Sequence, residues 1–126
     1  MRRMKVATIV ARVLLGLVFV VFGSNAFLQI LPMPEMTGAP AQFIGSLAAT
    51  GYLQVIAALQ VIGGALLLIG KFVPVGLTLL GPIIVNIVLY HIFMDTSGMV
   101  IAVLVAALGA FLVWRYWHAF AGILRA

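Results

Sequence analysis

The sequence predicts an all-α integral membrane protein. The expected form is a four-helix bundle with N-terminus and C-terminus in the cytoplasm (N-in/C-in) and a short extracytoplasmic helix or loop between helices 1 and 2. Three observations predict it. Of 126 residues, 66% are hydrophobic and 7% charged, and mean hydropathy is +1.34, whereas a soluble domain carries about 25% charged residues. Four apolar runs reach or approach the roughly 20 residues that cross a hydrocarbon core of about 30 Å. None of the runs alternates as barrel strands do, so helices must satisfy their backbone groups in lipid.

The first run covers about residues 6–31, behind the basic start Arg2, Arg3 and Lys5. A basic start, an apolar stretch from Val13 to Phe22 and the small residues Ser24, Asn25 and Ala26 also fit a signal peptide. Cleavage there would leave three helices with their ends on opposite sides, so the run is read as a retained helix. Residues 32–51 do not span. Pro32, Pro34 and Pro40 keep their start extended. Residues 40–49, PAQFIGSLAA, suit two to three helical turns with Pro40 at the first position. This stretch is either a separate surface helix or an outward extension of the next one. The second span covers about 52–70. The third, about 74–94, is expected to kink at Pro82, which follows Gly81 and has no N–H for the Thr78 carbonyl. The fourth covers about 99–117, and residues 1–126 form a single transmembrane domain.

Charge placement sets the orientation. With the N-terminus in the cytoplasm, Arg2, Arg3, Lys5, Arg12, Lys71, Arg115 and Arg125 all fall inside, and Glu35 and Asp95 fall outside. Trp114, Tyr116 and Trp117 form an inner aromatic belt, and His118 is an interfacial residue beside it. The net charge of +5 is thereby spent on membrane boundaries, not on nucleic acid. The chain has no cysteine, which excludes disulfides, thiolate metal sites and thiol chemistry of its own.

The polar residues inside the runs are the candidates for function. At 1.5 Å per residue, Asn86 lies about 13 Å below the outer boundary at Asp95, Gln60 about 16 Å above the inner boundary, and Asn25 about 20 Å above it. Carboxamides at such depths need protein partners, and they either fasten helices together or line a small-molecule cavity. Gly63 and Gly64 let the second helix approach its neighbours closely near Gln60. Gly16 and Gly23 share a face of the first helix from which Asn25 points away. Tyr90 reads as an interfacial anchor, and His91 with Asp95 as an outer pair in which a carboxylate raises the histidine's proton affinity. The candidate ligand-binding set is therefore Asn25, Gln60, Asn86, Tyr90 and His91. No catalytic set emerges: there is no phosphate loop or dinucleotide fingerprint, and His91 and His118 lie near opposite faces and cannot share a metal.

The stretches GLVFVVFGSNAFLQILPMP, YLQVIAALQVIGGALLLIGKFVPVGL and PIIVNIVLYHIFMD, in that order and within residues 13–117, resemble the DoxX family of small four-helix bacterial membrane proteins. The resemblance implies a multi-pass protein of the inner (cytoplasmic) membrane, associated with redox systems such as thiosulfate:quinone oxidoreductases. It implies other membrane-complex subunits or self-association as partners besides the bilayer, and a quinone as the cofactor to consider. Family members often carry a lysine where Ala26 stands and a glutamate where Gln60 stands. Without those charges the core lacks its best groups for proton transfer. The expectation is thus a noncatalytic membrane subunit or scaffold; the alternative is a binder or transporter of a small apolar ligand, quinone or lipid, in the outer half of the bundle.

Overall fold

The computed structural model describes residues 2–32 and 35–125. Six α-helices follow one another: α1 (Arg2–Leu28), α2 (Ala39–Thr50), α3 (Tyr52–Ile69), α4 (Val73–Phe93), α5 (Met99–Arg115) and the single turn α6 (Trp117–Phe120). Short 3-10 turns occupy Thr96–Gly98 and Ala121–Leu124, and there is no strand among the described residues. The long helices α1, α3, α4 and α5, the last with its leading turn, are long and apolar enough to cross a membrane.

Local chemistry explains where the helices depart from the apolar runs. Helix α1 starts at Arg2 because Arg, Met and Lys are good helix formers whether or not lipid surrounds them. It stops at Leu28, since Gln29 turns left-handed (φ 53°) while its amide still bonds the Asn25 carbonyl at 2.8 Å. Hydropathy reads on to Leu31 only because Ile30 and Leu31 are apolar. Likewise α5 ends at Arg115, where Tyr116 leaves helical geometry, two residues before its aromatic belt does.

The connecting stretch resolves into a helix of its own. Pro40 sits in the first turn of α2, and Gly51, at φ 84°, ends α2 and begins α3 in one residue. A residue with a Cβ resists that left-handed conformation, so glycine is what breaks the path between the two helices. Ile44 and Leu47 turn partly inward, while Gln42, Gly45, Ser46 and Ala49 are exposed. Pro34, expected to be extended, lies outside the described residues.

The four long helices contact one another in a closed order, α1 with α3, α3 with α4, α4 with α5, and α5 with α1. Helix α3 is the hub, and two adjacent glycines make it so. A Cβ built on Gly64 would lie 2.8 Å from the Gly16 carbonyl oxygen, and one on Gly16 would lie 2.8 Å from that of Gly64. One position earlier and about 100° round the helix, Gly63 meets α4: a Cβ on Gly76 would lie 2.9 Å from the Gly63 carbonyl oxygen. The α1-facing stripe that holds Gly64 also carries Ala57 and Val61 against Gly23. Leu15, Phe19, Leu67, Leu80 and Leu112 fill the interior and are essentially inaccessible. The outward faces keep large apolar side chains in the open, Phe93 at 77% and Val100 at 71% exposure among them, which is the pattern lipid rewards and water penalises.

Substitution at Gly64 and at Gly45 should separate close approach from helix propensity. Gly64→Ala drives a methyl into the Gly16 backbone and should lower stability by roughly 1 to 3 kcal/mol. Gly45→Ala meets nothing within 4 Å in the middle of α2 and should raise helix stability by about 0.5 to 1 kcal/mol. Thermal unfolding followed by circular dichroism in mild detergent checks both.

Candidate functional site

The five candidate residues fall into separate places. Asn25 ends up on the inside of the exit from α1, only 8% exposed. Its Oδ1 accepts the Leu31 amide at 2.8 Å and its Nδ2 donates to the Leu31 carbonyl at 3.3 Å. Each polar group of the side chain is thus used to fold the chain back after Gln29, and none reaches another helix. Gly16 and Gly23 face α3, whereas Asn25 faces its own loop.

Gln60 lies on the α1-facing stripe of α3, with its Cβ against Gly23. Asn86 is on the other side of the molecule. It is exposed on the outward face of α4, and its Nδ2 donates to the Pro82 carbonyl 2.8 Å away within the same helix. Position along the helices predicts similar depths for these three carboxamides but says nothing of angle, and the hydrogen bonds of Asn25 and Asn86 stay within six residues of each.

Tyr90 and His91 close the far end of α4. The Tyr90 hydroxyl approaches the Met36 sulfur at 3.6 Å, and its ring lies 6.1 Å from that of Phe43 on α2. It holds the connecting segment against α4. His91 sits edge-on to Tyr90, its Nδ1 2.9 Å from the backbone carbonyl of Asp95. A carbonyl only accepts, so Nδ1 donates to it and Nε2 is left as the other ring nitrogen. The Asp95 carboxylate is engaged elsewhere: it accepts from the hydroxyl and the amide of Ser97, capping the 3-10 turn that opens α5. The expected histidine–carboxylate pair is therefore a histidine–carbonyl bond beside a capping box of one residue.

Gly98, which the sequence did not single out, completes this corner. It lies flat against the His91 ring, where any Cβ would collide with the imidazole. The signal was present as a histidine and a glycine seven positions apart across the short DTSG turn, but only the turn geometry makes them neighbours.

Chemically, the corner offers one imidazole nitrogen and a capped carboxylate at a surface position. Among the described residues no group of three or more His, Cys, Asp or Glu side chains comes together to hold a metal ion. The recess in this half of the molecule is an open groove of about 390 Å³ between α1 and α3, lined by Ser24, Phe27, Leu28, Ala58, Val61 and Ile62. None of the five candidates lines it. Comparison with family models, with curated proteins and with solved structures gave no match.

The two asparagines should respond oppositely to the same change. Asn25→Leu removes both side-chain bonds to Leu31 and should cost about 0.5 to 1.5 kcal/mol, whereas Asn86→Leu should leave the unfolding midpoint of the isolated chain unchanged. The cap at Asp95 should show its own pH dependence. Its carboxyl lies below the ordinary 3.8, first because the Ser97 hydroxyl bonds it, then through the Ser97 amide and the charge of His91, with desolvation opposing. A depressed value means the cap is fully formed above about pH 3.8 and is lost as pH falls through the lower folded value. The Ser97 amide resonance should therefore stay constant from neutral pH to about 4 and shift only below it. In Ser97→Ala the Asp95 titration should move up toward its ordinary value.

Proposed function

We propose that the chain is an inner-membrane protein with four spanning helices bundled together and both ends in the cytoplasm, acting as a noncatalytic subunit or scaffold of a larger membrane assembly. The assembly is redox related, as the resemblance to the DoxX family implies. The membrane part of this reading draws on the apolar outward faces and on the segregation of charge. The ends of α1, α3 and α5 that meet through Arg12, Gly70 and Arg115 carry the basic residues, and Asp95 stands at the other end.

The observation that carries the subunit reading is Asn86. A carboxamide on the outward face of an apolar helix, about 10 Å from the helix end at Phe93, is costly against lipid. Its neighbours on the same stripe add to the cost. Pro82 provides no N–H for the Thr78 carbonyl, and Thr78 itself is exposed, its hydroxyl turned back to Pro74. The stripe Thr78, Pro82, Asn86 thus presents an amide oxygen and a backbone carbonyl to whatever lies outside. A polar helix from a second subunit satisfies them; acyl chains do not.

The alternative reading, a site for a small apolar ligand such as a quinone or lipid, draws on the α1/α3 groove, which is apolar but for the Ser24 hydroxyl. It places the ligand away from Asn86, so one pair of substitutions separates the two. Purified in mild detergent and weighed by native mass spectrometry, the wild type should appear as a complex heavier than one chain. Asn86→Leu should release the single chain with its helical content intact. Ile62→Trp, which fills the groove, should leave the complex whole. A wild type that is monomeric and carries a quinone or lipid lost on Ile62→Trp would replace the subunit reading with the ligand reading.

A further inference from the structure

At the basic end, α1 and α5 enclose a recess of about 300 Å³ lined by Lys5, Thr8, Ile9, Arg12, Arg115 and Tyr116. Three of these six residues are cations, and no acidic side chain lines the recess beside them. The chain's two carboxylates, Glu35 and Asp95, belong to the connections at the opposite end. The cations are nevertheless held in place. Arg115 donates from Nε to the Thr8 hydroxyl at 2.9 Å across 107 positions of sequence, and Thr8 in turn donates to the Met4 carbonyl at 2.7 Å. The Arg115 guanidinium lies 5.8 Å from the Trp114 ring. One N–H of Arg115 is thereby used, and the four on its terminal nitrogens remain for another acceptor. Arg12 packs against the end of α3: its guanidinium carbon is 2.9 Å from where a Cβ on Gly70 would stand. Its Nε is buried and without a hydrogen-bond partner among the described residues.

An orphaned, buried guanidinium N–H next to two further cations calls for an acceptor with several oxygens and negative charge, and phosphate has that geometry. The recess is also not a purely aqueous one. Ile9 in its lining and Val6 beside it are 48% and 54% exposed on the flank of α1, which continues as apolar surface toward Leu14 and Leu17. A ligand with a phosphate at one end and hydrocarbon at the other matches both parts. We propose that this recess is a specific site for the phosphate of an anionic phospholipid, held by Lys5, Arg12, Arg115 and the Tyr116 hydroxyl, with its acyl chains along the α1 flank. The proposal rests on the membrane reading above, because it needs the basic end to lie at a bilayer surface; basic pockets between spanning helices on that side are suited to anionic headgroups.

The test uses the full chain in nanodiscs of pure phosphatidylcholine or of phosphatidylcholine with phosphatidylglycerol, and reads two quantities. One is the lipid retained on the protein in native mass spectrometry. The other is the difference between the unfolding midpoints in the two lipids, in which a folding defect common to both cancels. The wild type should retain phosphatidylglycerol selectively and unfold at a higher temperature in its presence. Lys5→Gln and Arg115→Gln should each weaken retention about 5-fold, and Arg115→Lys should restore part of it. Lys5 is exposed, so its variant folds even if loss of the Thr8 bond unsettles Arg115→Gln. Equal retention of both lipids, or unchanged selectivity in Lys5→Gln, overturns the proposal. Displacement of the lipid by millimolar glycerol phosphate would assign the site to a soluble phosphate instead. A chain that fails to enter nanodiscs of either composition would strike at the membrane reading itself, which is a separate result.

Discussion

Everything in this fold hangs on the adjacency of Gly63 and Gly64. In lipid there is little hydrophobic gain in bringing helices together, so association depends on close packing and on interhelical polar contacts. Two consecutive residues of a helix point about 100° apart, which lets α3 accept α1 on one and α4 on the other, each through a glycine across the contact. Both contacts are backbone against side chain position zero, with no room for a methyl. Once α1 and α4 are seated on α3, α5 closes the order by packing on both, through Ile84 beside Gly109 and through Arg115 on Thr8. Side chains of ordinary size at those two positions would push α1 and α4 away from α3 at once.

The helices themselves were readable from the sequence because spanning length and hydropathy are properties of single segments. The boundaries at Tyr52, Val73 and Met99 match to within one residue for the same reason. What one segment cannot reveal is how it is turned toward its neighbours. Gln60, Asn25 and Asn86 were placed correctly along their helices but could not be placed around them, and the structure sends them to a helix contact, a loop closure and an outward face respectively. The Asn25 clamp was illegible because its partner, Leu31, looked like the end of the helix; only a left-handed Gln29 brings it back. His91 and Asp95 were recognised as neighbours from their spacing, but spacing does not distinguish a backbone carbonyl from a carboxylate. Whether α2 stood apart from α3 depended on one backbone angle at Gly51, for which the glycine was the visible hint.

The two ends of the molecule solve opposite problems. At the end that carries Asp95, polar groups are satisfied locally: Asn25 by Leu31, His91 by the Asp95 carbonyl, Asp95 by Ser97, and Tyr90 by Met36 and Phe43. Short connections and tight turns keep these donors and acceptors within reach of one another. At the basic end the connections are helical or nearly absent, with Gly70, Lys71 and Phe72 taking α3 into α4. Positive charge accumulates there without a matching acid.

That asymmetry has a physical consequence for the proposed place of the chain in a bilayer. A self-satisfied end makes few demands on its surroundings, whereas an end with fixed guanidinium groups and no internal counter-charge is stabilised by whatever anion the surface supplies. The attraction is steep only where the cations are ordered in advance, since ordering long side chains is the main cost of a surface ion pair. Here Thr8 and Trp114 order Arg115, and Arg12 packs against Gly70 at the end of α3. Preorganisation of this kind lowers the cost of binding. On the proposed reading, it would turn a general preference of basic residues for anionic membranes into one located at a single seam, between the first helix and the last.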